Sequence, residues 1–304
     1  MLVVLAQQLG ENVAFRAMTM SSLIAGDHSQ RCGGLVPQHV PFHYKWDEIV
    51  ASYDANALPP VCDNMIIDEG QNLPPGFFRW ARRFGGTTLT IFADEHQMTD
   101  KRGSTLAQIS DETQLRHPKR LSANHRNTPE IAELAEHFHD SLLVPPAIVR
   151  RGRGGDRPRL VRVDEWTDVV RMVATRFANR GGSIAVIVYL KDDVTNLYKA
   201  LRSELKDARI DYYTSDVGAG GEANIRILDP GITLLTQKSA IGLEFDAVFL
   251  ADLGRSLPCT TPPERRTMYM LCARARDALV IIDGPSHLGS NQLASLPAAP
   301  TLER

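Results

Sequence analysis

Short β-rich runs alternate with helical patterns along this chain, and that alternation limits the fold more than any single motif does. Apolar runs suited to strands cover 13–20, 65–68, 87–93, 183–189, 232–236, 247–251 and 278–283. The segments between them read as amphipathic helices. Within 193–208, Val194, Leu197, Tyr198, Leu201 and Leu205 recur at helical spacing, a stripe suited to a core face. Thr128-Pro129-Glu130 opens another helix, with Thr128 as N-cap and Pro129 at the first helical position. Strands that alternate with helices pack as α/β layers around mostly parallel sheets. At 304 residues, 43% of them hydrophobic and 23% charged, the chain has the length for two domains and the make-up of an ordinary globular protein. The segment from residue 285 onward, rich in Ser, Ala, Pro and Leu, is expected to be a loosely held end.

A formal net charge of -2 argues against a simple electrostatic nucleic-acid binder, although a motor can confine its basic residues to a groove. Arg150, Arg151, Arg153, Arg157, Arg159 and Arg162, set among glycines, could line such a groove or form a solvated surface loop. Cys32, Cys62, Cys259 and Cys272 are scattered, with no Cys-x-x-Cys pair, so reduced thiols in a cytoplasmic protein are expected rather than a disulfide framework or a zinc site. His39 and His43 have no further ligand nearby in sequence, which does not suit a closed metal site. Residues 1–9 are apolar but short and lack a basic flank, so they do not read as a signal peptide, and no run reaches the length of a membrane span.

The most informative stretch is Asn64-Met65-Ile66-Ile67-Asp68-Glu69-Gly70-Gln71-Asn72-Leu73. An apolar strand ending in adjacent carboxylates suits a nucleotide hydrolase: one carboxylate reaches magnesium and the other polarises the attacking water. Ligands of open α/β sheets collect at the carboxyl ends of strands, where Asp68 and Glu69 fall. Taken alone, the same residues also describe a strand followed by an acidic turn. A second apolar run, Leu89-Thr90-Ile91-Phe92-Ala93, leads into Asp94-Glu95-His96-Gln97, and the Gln97 amide can both donate and accept near a γ-phosphate or a water. Further blocks are Leu121-Ser122-Ala123-Asn124-His125-Arg126-Asn127, the run from Thr233 to Asp246 with Gly242-Leu243-Glu244-Phe245, and the run from Arg265 to Ala275 with Ala273-Arg274-Ala275.

In this order the five blocks resemble motifs II, III, IV, V and VI of the UvrD/Rep-type superfamily 1 DNA helicases, whose forms read roughly DEAQD, GDxxQ, NYR, T-x-H-x-x-K-G-L-E-F and Y-V-x-x-T-R-A. The resemblance runs from about Met65 to Ala275. It implies two RecA-like, P-loop NTPase-type α/β domains, the first N-terminally incomplete. These would span 1–117 and 118–284, with 285–304 as the tail. It implies ATP and Mg2+ as cofactors, with Asp68 on the metal and Glu69 as general base. Gln97 would couple γ-phosphate state to the nucleic-acid path. Arg126 and Arg274 would act as arginine fingers from the second domain, Glu244 beside Gly242 would approach the nucleotide sugar, and His125 would stand at the adenine-stacking position. The implied partner is single-stranded DNA or another nucleic acid, and no membrane. For each arginine a surface ion pair is the plainer alternative.

The pattern also breaks. The chain has no G-x-x-x-x-G-K-[ST], and no Gly in it is followed by Lys, so no such loop cradles the β- and γ-phosphates. Met18-Thr19-Met20-Ser21-Ser22-Leu23 resembles the family segment just after that loop, from which a late start is expected: a truncated gene, a fragment, or half of a split motor whose protein partner supplies the missing N-terminal part. His125 replaces a Tyr, Lys238 and Ile241 replace the His and Lys of motif V, and Ala273 replaces the Thr of motif VI. Where the family places base-stacking aromatics, this chain has Met98-Thr99-Asp100-Lys101-Arg102-Gly103. Only about 40 residues separate Leu23 from Met65 and about 100 separate Asn127 from Ile232, too few for large accessory domains. Two functions follow from this: a minimal ATP-dependent translocase or unwinding enzyme, inactive alone, or a degenerate helicase serving as a non-hydrolysing nucleic-acid- or partner-binding scaffold.

Overall fold

The computed structural model describes residues 16–95, 98, 102–139, 148–152, 154–214 and 229–304. The chain forms two compact units, Leu2–Arg120 and Leu121–Arg304.

In the N-terminal unit, helix α1 (Met20–Arg31) leads to a hairpin of β1 (Gln38–Val40) and β2 (His43–Tyr44). Then come α2 (Trp46–Ala55), β3 (Cys62–Ile67), α3 (Pro75–Trp80), β4 (Gly86–Ile91) and α4 (Leu106–Thr113). The apolar run expected to be a strand at 13–20 ends in a helix start instead. Thr19 is extended and its hydroxyl accepts from Ser22 N, an N-cap that commits Met20 onward to α1; residues 13–15 lie outside the described residues. β3 and β4 pair in parallel, Met65 opposite Leu89 and Ile67 opposite Ile91. One face of this pair packs on an aromatic cluster in which Tyr53 meets Trp80 edge-on and Phe77 stacks on Trp80. Helices α2 and α3 approach closely because residue 76 is Gly: a Cβ there would lie 2.3 Å from Trp46 Cγ.

The C-terminal unit contains a six-stranded parallel sheet in the order β7-β12-β11-β8-β10-β9, which makes this chain an α/β protein. Its strands are β7 (Arg159–Arg162), β8 (Ser183–Val188), β9 (Ile210–Tyr213), β10 (Gly231–Thr236), β11 (Phe245–Leu250) and β12 (Ala275–Asp283). β8 and β10 are buried along their whole length, as parallel strands covered on both faces must be. Val169 and Val173 of α6 (Trp166–Arg180) and Val194, Leu197 and Leu201 of α7 (Lys191–Glu204) close over Ile184, Val186, Ile232, Leu234 and Phe249. α6 turns into β8 through Gly181 and Gly182, both at positive φ, a backbone region that favours glycine. Outside this sheet, β5 (Ala123–Asn124) pairs in parallel with β6 (Ile148–Val149), and α5 (Pro129–Glu136) and α8 (Pro262–Cys272) complete the unit.

The arginine-rich segment is not a plain loop: Arg159 to Arg162 form edge strand β7 on β12, and Arg157 donates to Pro300 O at 2.7 Å. Arg153 lies outside the described residues. The tail from Pro285, expected to be loose, is anchored. It contains α9 (Ser290–Ala294), buries Leu302 completely, and bonds to β7 through Leu160 N to Glu303 O (2.7 Å) and Glu303 N to Pro158 O (2.9 Å). Composition missed this because isolated leucines, not a periodic stripe, supply the anchors. The four cysteines are free thiols. No helix among the described residues is long and apolar enough to cross a membrane.

Candidate functional site

In the N-terminal unit the motif-like carboxylates stand where β3 ends. Ile67 is the last strand residue, Asp68 follows half-buried, and Glu69 adopts a left-handed conformation (φ 53°, ψ 39°). A non-glycine residue at positive φ is uncommon, and here the backbone turns there into a short 3-10 segment, Gly70–Asn72. The turn is fastened to the end of β4: Phe92 N donates to Ile67 O (2.8 Å) and Gly70 N donates to Phe92 O (2.8 Å). A Cβ on Gly70 would lie 3.0 Å from Ile91 Cγ2, so the close approach of the two strand ends favours glycine.

Gln71, to which the sequence assigned no role, joins the two strand ends. Its side chain is fully buried; Nε2 donates to Glu69 Oε2 at 2.6 Å and Oε1 accepts from Asp94 N at 2.9 Å. Both ends of one amide are thus spent on fixing a carboxylate and a backbone turn, the use to which a buried amide is suited. Ser104 reinforces the same corner, its N donating to Gln71 O and its hydroxyl to Leu73 O. Glu95 accepts from Leu106 N at the start of α4. Gln97 lies outside the described residues. Among the described residues no group of three or more His, Cys, Asp or Glu could hold a metal ion. Magnesium needs no such cage, since it takes one or two carboxylates and keeps its waters; the adjacent Asp68 and Glu69 fit that donor set.

The C-terminal unit gathers the other candidates around the ends of β5, β11 and β12. Arg126 sits half-buried in a turn held by paired asparagines. Asn124 Oδ1 accepts from Arg126 N (3.0 Å) and Asn127 N (3.1 Å), and Asn124 Nδ2 donates to Asn127 Oδ1 (2.9 Å). Buried Asn127 donates in turn to Ala273 O (3.1 Å) and Ala275 O (2.5 Å), the carbonyls on either side of Arg274. Arg151 Nη1 adds bonds to Arg126 O and Arg276 O, both at 2.8 Å. Asn at both ends of Asn124-His125-Arg126-Asn127 is a signal for such side-chain-to-backbone turns, and it could have been read from the sequence.

The guanidinium of Arg126 pairs with Glu244, Nε to Oε1 at 2.5 Å. Glu244 follows a turn at Gly242 (φ 75°) and precedes β11. His125, the neighbour of Arg126, is exposed. Arg274 differs from both arginine expectations: only 1% of it is exposed, and its guanidinium donates to Met270 O (3.0 Å) and Leu243 O (3.2 Å) inside the unit. The structure therefore brings Arg126 and Glu244 into contact, and places Arg274 behind them as a brace between α8 and the turn that carries Glu244. Asp246, at the start of β11, accepts from Ser183 N (2.8 Å) and Oγ (3.0 Å) and pairs with Arg276. Burial pushes the Asp246 carboxyl upward, but these Ser183 and Arg276 contacts outweigh it and hold the group below the usual carboxylate range.

No protein-family model matches this chain, and no curated protein matches it. Among solved structures it is similar to the C-terminal domain of a possible DNA helicase from Lactobacillus plantarum, at 22% sequence identity and a TM-score of 0.41, covering 59% of this chain and 98% of that one.

Proposed function

We propose that this chain is a helicase-type ATPase of the UvrD/Rep kind, built on RecA-like domains and inactive by itself, of a class of motors in which Mg2+-ATP chemistry drives movement along single-stranded DNA. The observation that carries the reading is the corner at the end of β3. Glu69 is held in a left-handed turn by Gln71, which also ties down the end of the neighbouring strand. A general base must be held at hydrogen-bond range of its water, and a carboxylate oriented by a buried amide meets that need. In this reading Asp68 holds the magnesium, which when bound neutralises phosphate charge, and Gln97 senses the γ-phosphate. Arg126, Glu244, Gly242 and His125 serve the nucleotide in the C-terminal unit.

A second reading is favoured by one observation. Arg274, the other expected finger, is buried and donates to the main-chain carbonyls of Met270 and Leu243. That suits a non-hydrolysing scaffold of the same ancestry. Because the chain contains no Gly-Lys, we expect its nucleotide binding to be weak, in the millimolar range of about 4 kcal/mol, and its turnover negligible. Calorimetric titration of ATP with and without Mg2+, in wild type and Asp68→Asn, tests the proposal. Mg2+-dependent heat that disappears in Asp68→Asn supports it, and equal or absent binding in both overturns it. Phosphate release measured with single-stranded DNA then separates the readings. DNA-stimulated turnover, abolished by Glu69→Gln with binding spared, would establish the motor and refute the expected inactivity. Binding without turnover fits the scaffold, or a motor awaiting a partner.

A further inference from the structure

We infer that Glu244 acts as an internal anion on Arg126, a latch that a polyphosphate must displace before Arg126 can serve it. This rests on the nucleotide reading above and names how that site would be regulated. The two side chains meet at 2.5 Å with 35% of Arg126 and 23% of Glu244 exposed, so the pair is formed at a surface where solvent and ligand reach it. What surrounds the pair is fixed, whereas the pair itself is exchangeable. On one side, the backbone of Arg126 is held by Asn124 at its N and by Arg151 at its O. On the other, Glu244 lies between buried Leu243, whose O accepts from Arg274, and buried Phe245, whose N donates to Arg274 O at 2.9 Å. Opening the latch therefore needs rotation of two side chains and no movement of the main chain.

Neighbouring arginines are committed differently. Arg151 bonds to two carbonyls and to Asp277, and Arg276 pairs with Asp246, itself tied to Ser183. All three arginines pair with a partly exposed carboxylate, but the Arg151 and Arg276 pairs carry these further ties, whereas among the described residues the Arg126–Glu244 side chains are held to one another alone. A guanidinium fork binds carboxylate and phosphate oxygens in the same geometry. A tripolyphosphate group brings several charges where Glu244 brings one, and a partly exposed ion pair is weak enough to be exchanged. A ligand that only approached Glu244 through its sugar would leave this competition unused.

The test follows the Arg126 Nε–H signal by NMR during titration with inorganic tripolyphosphate and, separately, with Mg2+-ATP. It uses the full chain as wild type, Glu244→Gln, Arg126→Ala and the double variant. Gln keeps the shape of Glu and removes its charge, so the fold is retained. Overlay of the backbone amide spectra checks this, and in the variants lacking Arg126 the same amide shifts report binding. The expected result is tripolyphosphate and ATP binding about two- to fivefold tighter in Glu244→Gln, the factor corresponding to a partly exposed ion pair, with the gain absent when Arg126 is also removed. Weaker ATP binding with unchanged tripolyphosphate binding would overturn the latch and leave Glu244 as a direct nucleotide contact. No change with either ligand would also overturn it. Tighter tripolyphosphate binding without any ATP binding would keep the latch and sink the nucleotide reading. Failure of every form to bind either ligand would sink both.

Discussion

At the scale of single residues, the most consequential side chain is one that takes no part in the expected chemistry. Gln71 is fully buried and satisfies Glu69 and the Asp94 N–H together. Gln71→Leu would fill its volume but strand both partners, and an unsatisfied buried group costs about 1–3 kcal/mol. We expect that loss in urea unfolding at pH 7. Gln71→Glu should be worse at pH 7, since it sets a second carboxylate against Glu69. Its deficit should shrink as the pH falls toward about 4, where one carboxyl can take a proton and donate again. A Gln71→Leu variant as stable as wild type would show that Glu69 holds its turn without help. Arg274 carries the complementary lesson. Its place in the sequence fits a finger, while its guanidinium lies inside the unit on the carbonyls of Met270 and Leu243. A motif position records a residue type, not its exposure.

At the scale of elements, the start of β11 is held by one carboxylate that joins three strands: Asp246 on β11, Ser183 on β8 and Arg276 on β12. Its folded pKa lies below the unfolded value of about 3.9. The stability it contributes is therefore present in full above that value and is lost as the pH falls through the folded pKa. We expect Asp246→Asn to cost about 1–2 kcal/mol at neutral pH, with the gap to wild type closing below about pH 4. A gap that stays constant across that range in denaturant titrations would assign the loss to shape rather than charge. The strands flanking this clamp are readable from the sequence because β8, β10, the β11 segment 247–250 and the β12 segment 278–282 are largely apolar runs, the mark of strands covered on both faces. Edge strands are not. β7 hides in an arginine run because only its sides toward β12 and the core need apolar atoms, and β5 and β6 are two residues each. The run expected as a strand at 13–20 extends into the first residue of α1, Met20, because a short apolar run carries no period that separates helix from strand. Of the candidate site, the carboxylates at the end of β3 were legible from one short segment. The Arg126–Glu244 contact was not, because nothing local in a sequence reports which residues from distant segments meet.

At the scale of the whole molecule, each unit has its own core, and the two cores differ in kind. In the C-terminal unit a six-stranded sheet is covered by helices and its central strands are buried throughout. In the N-terminal unit the parallel pair β3–β4 is the whole of its sheet among the described residues, and it leaves Ile66 60% and Phe92 49% exposed. The stability of a unit rises with the share of surface it buries, and parallel strands are ordinarily covered on both faces. We therefore expect the N-terminal unit to unfold first. The three tryptophans report this directly: Trp46 and Trp80 belong to the N-terminal core, and Trp166 packs on the C-terminal one. In variants that keep only Trp80 or only Trp166, the others replaced by Phe, urea unfolding followed by fluorescence should show the Trp80 midpoint lower by about 1 M or more, with a smaller slope for the smaller surface exposed. Coincident curves from both probes would make the chain one cooperative system and overturn this expectation.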